Sequence, residues 1–166
     1  MRVMNNLKSK FKKANKDNKG FSLVELIIVI AIMAILVGIV GTQVIPYIDK
    51  SRKAKDVQVL SGLCTDAVTA YSSNAAALDP GAVYTITIGS DVTVEMASGT
   101  GVTNDLKTLK DAFNELNSIT KLEDLKLESK SGKAATSIVI TCQNANPMVK
   151  VETTTTVGSF DEITSK

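Results

Sequence analysis

Hydrophobic residues are spaced in three different ways along this chain, and each spacing predicts a different element. Residues 26–48 contain no charged side chain and consist mostly of Ile, Val, Leu, Ala and Met. An apolar helix of about 20 residues is long enough to cross the hydrocarbon core of a bilayer. The pattern then changes to steps of three and four, through Ala54, Val57, Leu60, Cys64, Ala67, Val68, Tyr71, Ala75 and Leu78. That spacing places one apolar stripe along a helix lying on a soluble domain. Asp79-Pro80-Gly81 should end it.

Beyond residue 81 the period becomes two. Residues 83–88 and 92–96 alternate, and Gly89-Ser90-Asp91 joins them as a predicted hairpin. Residues 136–142 and 148–154 read as a second pair of strands around a five-residue loop. Between the pairs, Asn104 is placed to cap a helix carrying Leu106, Leu109, Ala112, Phe113 and Leu116 on one face. Leu122, Leu125 and Leu127 suit either a further helical turn or a strand. The expected fold class is α+β: a long N-terminal helix, apolar in its first half, packed on an antiparallel sheet of about four strands. The expected domains are a basic leader over 1–20, an apolar helix over 21–48, and a soluble head over 49–166. The head comprises an amphipathic helix over 49–78 and the sheet domain.

Charge sharpens the picture at the N-terminus. Residues 1–20 hold seven Lys or Arg and a single acid, Asp17, whereas residues 21–166 hold twelve Lys or Arg and sixteen Asp or Glu. A basic segment ahead of an apolar one stays on the cytoplasmic side. Glu25 is the odd feature, a carboxylate near the start of the apolar stretch. An ionisable group in a membrane helix costs roughly 2.5–3.5 kcal/mol on insertion scales, so it tends to have a partner and a task. The alternative is a glutamate favoured by the helix dipole and snorkelling to the interface.

Gly20 before Phe21, Glu25 as the fifth residue counted from Phe21, and the long apolar helix after them resemble the type IV pilins and their pseudopilin relatives. The resemblance is specific over roughly residues 1–50. It implies that a prepilin peptidase cuts between Gly20 and Phe21 and that the new terminal Phe21 is N-methylated. It further implies that Glu25 neutralises the terminal amine of a neighbouring subunit during assembly. On this resemblance the chain is a structural subunit, held in the cytoplasmic membrane as a single-pass precursor and then polymerised into a helical homo-oligomer at the cell surface. Adhesion, aggregation or twitching motility would follow, with an assembly ATPase and a membrane platform as further partners. Relatives carry a proline at the position of Thr42; here the proline is Pro46, so the expected kink or melt is displaced. Removing the leader also removes the basic excess, which argues against nucleic-acid binding by the mature protein.

Three other readings compete. A pseudopilin of a secretion or DNA-uptake system would share this N-terminus. A membrane-tethered extracellular binding module would make the Gly20, Phe21 and Glu25 spacing a coincidence. A simple secretory signal needs small residues after the apolar core, where Ile39 with Gly41 is an imperfect match.

Enzymatic chemistry finds little support. The chain has no histidine, the commonest general base and metal ligand. No serine lies in a nucleophile elbow, and two cysteines alone cannot make a structural zinc site. No catalytic residue, cofactor or metal is expected. Cys64 lies on the apolar helix stripe and Cys142 alternates with Ile138 and Ile140, so both thiols should face a helix-on-sheet core. They are either buried small hydrophobes or, in an exported protein, a disulfide enclosing 77 residues and contributing about 4 kcal/mol.

Overall fold

The computed structural model describes residues 20–99 and 103–165, and the side chains of Thr103 and Asn104 are outside the description. The chain divides into two compact units at the Ile45–Pro46 peptide. Basic leader residues 1–19 lie outside the described residues.

The first unit is helical. Helix α1 spans Leu23–Ile39 and passes into a π-helical segment, Val40–Val44. Every residue over 20–48 is exposed, including an unbroken series of large apolar side chains. In water so continuous an apolar surface is unstable, and it identifies a segment whose natural surroundings are lipid or other protein.

In the second unit, helix α2 (Ile45–Ser73) packs on a five-stranded antiparallel sheet. Strands β1 (Val83–Ile88), β2 (Val92–Ser98), β3 (Ala135–Cys142), β4 (Val149–Thr155) and β5 (Ile163–Thr164) lie in the order β2-β1-β3-β4-β5. The α+β architecture expected from the spacing is the one observed, with β5 as an additional edge strand from the mostly polar tail. Both hairpins form as predicted, β1 with β2 and β3 with β4.

Strict alternation in β1 and β3 sends Tyr84, Ile86, Ile88, Ile138, Ile140 and Cys142 to one face. Leu60, Leu63, Cys64, Ala67, Ala70 and Tyr71 meet them from α2. Each fully buried large aliphatic side chain contributes about 1.5–3 kcal/mol of transfer free energy. Helix α3 (Thr103–Asn117) adds Leu109 and Phe113 to the same core. It starts one residue before Asn104, the expected cap, and Leu116 remains exposed. The undecided stretch near residue 122 is a 3₁₀ turn, Leu122–Leu125, followed by the single-turn helix α4, Lys130–Lys133.

Two local outcomes differ from the sequence reading. Helix α2 ends at Ser73, five residues before Leu78. Ser73 donates from its hydroxyl to the Thr69 and Ala70 carbonyls, and the Asn74 amide donates to Ala70 O. Past Ser73 the chain continues in tighter turns, with the Ala75 N–H bonded to Ser72 O and the Ala77 N–H to Asn74 O. Leu78 is still buried, while Ala75 is exposed. The second difference lies among the charged residues at 49–56, which sequence alone reads as a solvated helix face. Lys50, Arg52 and Lys55 are exposed accordingly, but Asp56 is not solvated. It is buried and receives the loop ahead of α4. The Glu128 and Ser129 N–H groups donate to it at 2.8 and 2.9 Å, and the Ser129 hydroxyl at 2.6 Å. Asp49 accepts the Lys130 N–H at 3.0 Å, and Lys55 pairs with Glu128 at 2.6 Å. Gly132 closes this seam: a Cβ there would collide with Asp56 Oδ2 and come within 2.7 Å of Leu127 Cβ.

Candidate functional site

The residues expected at processing and assembly, Gly20, Phe21 and Glu25, fall together at the start of the first unit. Gly20 and Phe21 are exposed and non-helical, with Phe21 88% exposed. Ser22 is in extended conformation and is the N-cap of α1. Its hydroxyl accepts the Val24 N–H at 3.3 Å, and its own N–H donates to Glu25 Oε2 at 2.8 Å. This is a capping box: a serine and a glutamate three residues apart satisfy helix-start donors reciprocally. The box holds the helix to a start at Leu23, leaving the Gly20–Phe21 peptide bond outside it. It also fixes the position of the Glu25 carboxylate, one oxygen of which is engaged by its own chain.

The S-x-x-E spacing of Ser22 and Glu25 is readable in the sequence as a capping box. The analysis of charge alone treats Glu25 as a membrane anomaly and misses that it also serves the helix start.

Downstream, the helix is irregular ahead of Pro46. Over Val40–Val44 the ladder is π-helical, and the Ile45 N–H reaches back to Val40 O. A proline has no N–H to give the carbonyl four residues earlier, here that of Thr42, so the α-helical ladder cannot run through this turn. Thr42 also donates its hydroxyl to Gly38 O at 3.0 Å and Ile39 O at 3.4 Å. The irregularity therefore covers Thr42 as well as the turn next to Pro46, four residues later.

In the second unit, Cys64 on α2 and Cys142 on β3 are both buried and both free thiols. Burial is the main cause that pushes the Cys142 thiol from 9.0 up to about 12, with a further push from a negative charge on Cys64. Burial likewise raises Cys64. A second buried polar group, Tyr84, donates its hydroxyl to Asp105 Oδ2 at 3.2 Å and accepts the Asp79 N–H at 2.9 Å. It ties β1 to α3 and to the turn after α2. Spacing gave no signal for this contact, because Tyr84 simply alternates as a strand residue.

The start of the first unit thus combines an exposed apolar helix, a capping box that engages the Glu25 carboxylate, and a non-helical Gly20–Phe21 peptide before it. Among the described residues, Leu23–Ser73 holds the one helix long and apolar enough to cross a membrane. No curated protein and no solved structure matches the chain. Residues 15–41 match the family model of the prokaryotic N-terminal methylation motif, so the chain carries the class III signal of type IV pilins and pseudopilins.

Proposed function

We propose that this chain is a structural subunit of a type IV pilus, used for adhesion, aggregation or twitching motility. The observation that carries the proposal is the apolar helix, exposed along its length, that begins at a Ser22–Glu25 capping box within the methylation motif. Such a surface needs apolar surroundings at every stage. Lipid supplies them for the precursor, and neighbouring subunits supply them in the filament. Prepilin peptidase cuts between Gly20 and Phe21, and Phe21 is then N-methylated. An assembly ATPase and its membrane platform move the subunit into the filament, where the acidic heads face the medium.

Glu25 pairs with the terminal amine of an adjacent subunit. Two opposite charges in a low-dielectric groove attract far more strongly than in water, and each is costly alone. The pair would set the axial register between helices.

Shearing cells and sequencing the N-terminal peptide of this chain by mass spectrometry tests the reading. A peptide beginning at methylated Phe21, abundant in the sheared fraction, is the expected result. The same peptide confined to membranes would favour a pseudopilin. An intact leader, or a cut near Gly41, would overturn both.

The same proposal extends to Cys64 and Cys142, which join as a disulfide when an external disulfide oxidant accepts their two electrons and two protons. Unreduced chain unfolded in iodoacetamide should then take up no label, and reduced unfolded chain should take up two. In the reduced folded head, Cys142 should resist alkylation at pH 8 because its thiol stays protonated. With its pKa raised on folding, the stability linked to that thiol is complete below pH 9.0 and is lost as pH rises towards about 12. Label on both cysteines of unreduced, unfolded chain would rule the bond out.

A further inference from the structure

The second unit carries a cleft that the filament reading leaves without a role. It has a volume of about 630 Å³ and lies between the β1–β2 turn, the 3₁₀ turn and the start of β3. Lys121, Lys126 and Lys133 line it together with Ser90 and with Thr136, whose hydroxyl donates to Thr154 O at 3.3 Å. Residues 21–166 carry an excess of acids over bases, so three lysines around one concavity run against the trend of the surface.

The nearby carboxylates are already engaged, one of them by a lysine of the lining itself. Glu123, the acid in the lining, pairs with Lys121 at 2.7 Å. Asp124 accepts the Thr120 and Lys121 N–H groups and the Thr120 hydroxyl, which together hold it below the usual carboxylate range. Glu128 pairs with Lys55, and Asp56 is filled by the loop at Glu128 and Ser129. Among the described residues, Lys126 and Lys133 form no ion pair. The lining thus holds three lysines against the single carboxylate of Glu123.

The walls are also fixed in advance. The Leu122 N–H donates to Gly89 O at 2.8 Å, joining the 3₁₀ turn to the β1–β2 turn. Gly132 is locked between Asp56 and Leu127, and it lines the cleft as well. A preformed site loses less ordering entropy on binding than a mobile one.

We propose that this cleft binds an acidic saccharide, one or two sugar rings carrying a phosphate or sulfate group. Lysine ammonium groups act as point charges for such oxyanions. The volume falls within the range of small-ligand sites. Hydroxyl and backbone groups suit sugar hydroxyls, and Leu122, Leu127 and Ala135 offer an apolar floor for the ring. No aromatic residue lines the cleft, so it lacks the stacking platform that single-stranded nucleic acids use. The proposal does not depend on how the N-terminus is processed.

The test titrates the full chain in neutral detergent with glucose 6-phosphate, glucose, inorganic phosphate and a single-stranded oligonucleotide, following amide NMR shifts. Glucose 6-phosphate should shift residues around Lys121, Lys126 and Lys133 and bind more tightly than glucose or phosphate. The double substitution K126E/K133E should weaken it about tenfold or more, equivalent to about 1.4 kcal/mol. The equally charge-changing K107E/K110E on α3 should leave it unchanged. Shift mapping on the unsubstituted chain stands even if a variant misfolds. Absence of glucose 6-phosphate binding, equal binding of phosphate or glucose, tighter binding of the oligonucleotide, or indifference to K126E/K133E would each overturn the proposal.

Discussion

Glu25→Ala should leave the precursor in the membrane at normal levels yet lower its recovery in sheared filaments by about a hundredfold. The magnitude follows from the cost of breaking a buried ion pair, roughly 3–5 kcal/mol when one charge is left without its partner. The capping box complicates this substitution, because alanine also removes the acceptor for the Ser22 N–H. Loss of a cap costs only about 1 kcal/mol, too little to explain a hundredfold effect. Glu25→Gln separates the two roles, since its side-chain oxygen still accepts the Ser22 N–H but carries no charge. Gln and Ala variants that are equally absent from filaments would assign the loss to the charge. A Gln variant that assembles normally would assign it to the helix start and end the ion-pair account.

Asp56→Ala should lower the stability of the second unit by about 3 kcal/mol or more, a fall of about 10 °C in Tm. One substitution strands the Glu128 N–H, the Ser129 N–H and the Ser129 hydroxyl, all of which end on this carboxylate. A buried donor left unsatisfied costs about 1–3 kcal/mol. The Ser129 hydroxyl also accepts the Gly132 N–H at 3.0 Å, so losing Asp56 loosens the cap of α4 as well. Asp56→Asn should lie between, because its carbonyl oxygen can keep part of the set. Thermal unfolding of the full chain in detergent, followed by near-UV circular dichroism, reads the difference. An alanine variant that melts with the wild type would show the carboxylate to be incidental.

Where the sequence was legible, a single period governed each element. Residues 83–88 and 136–142 alternate because one face of each strand is buried, and pairing of Ile86 with Ile140 follows from that alternation. The apolar helix was legible because nothing within it needed a partner in the same chain. The methylation motif was legible through residue identity: Gly20, Phe21 and Glu25 keep their spacing whatever the rest of the chain does. Asp56 was not legible. It falls among Asp49, Lys50, Arg52, Lys53 and Lys55, where a carboxylate is ordinarily a solvated one, and its partners are 72 and 73 residues away. The cleft lysines were hidden for a similar reason. Lys121, Lys126 and Lys133 alternate with acids along the chain, and only the fold shows which acids are already engaged. The end of α2 was misread because Asp79-Pro80-Gly81 is the stronger breaker in the sequence, whereas the chain already changes to tighter turns after Ser73.

The distance in sequence between Asp56 and the loop it holds also constrains the order in which the protein can be made. A ribosome reaches Asp56 long before Glu128 and Ser129. Until they emerge, the nascent helix carries a hydrated negative charge beside Leu60 and Leu63, residues that later enter the core. A charge flanking an apolar segment discourages association between incomplete chains. In the finished head that hydration is exchanged for the Glu128 N–H, the Ser129 N–H and the Ser129 hydroxyl.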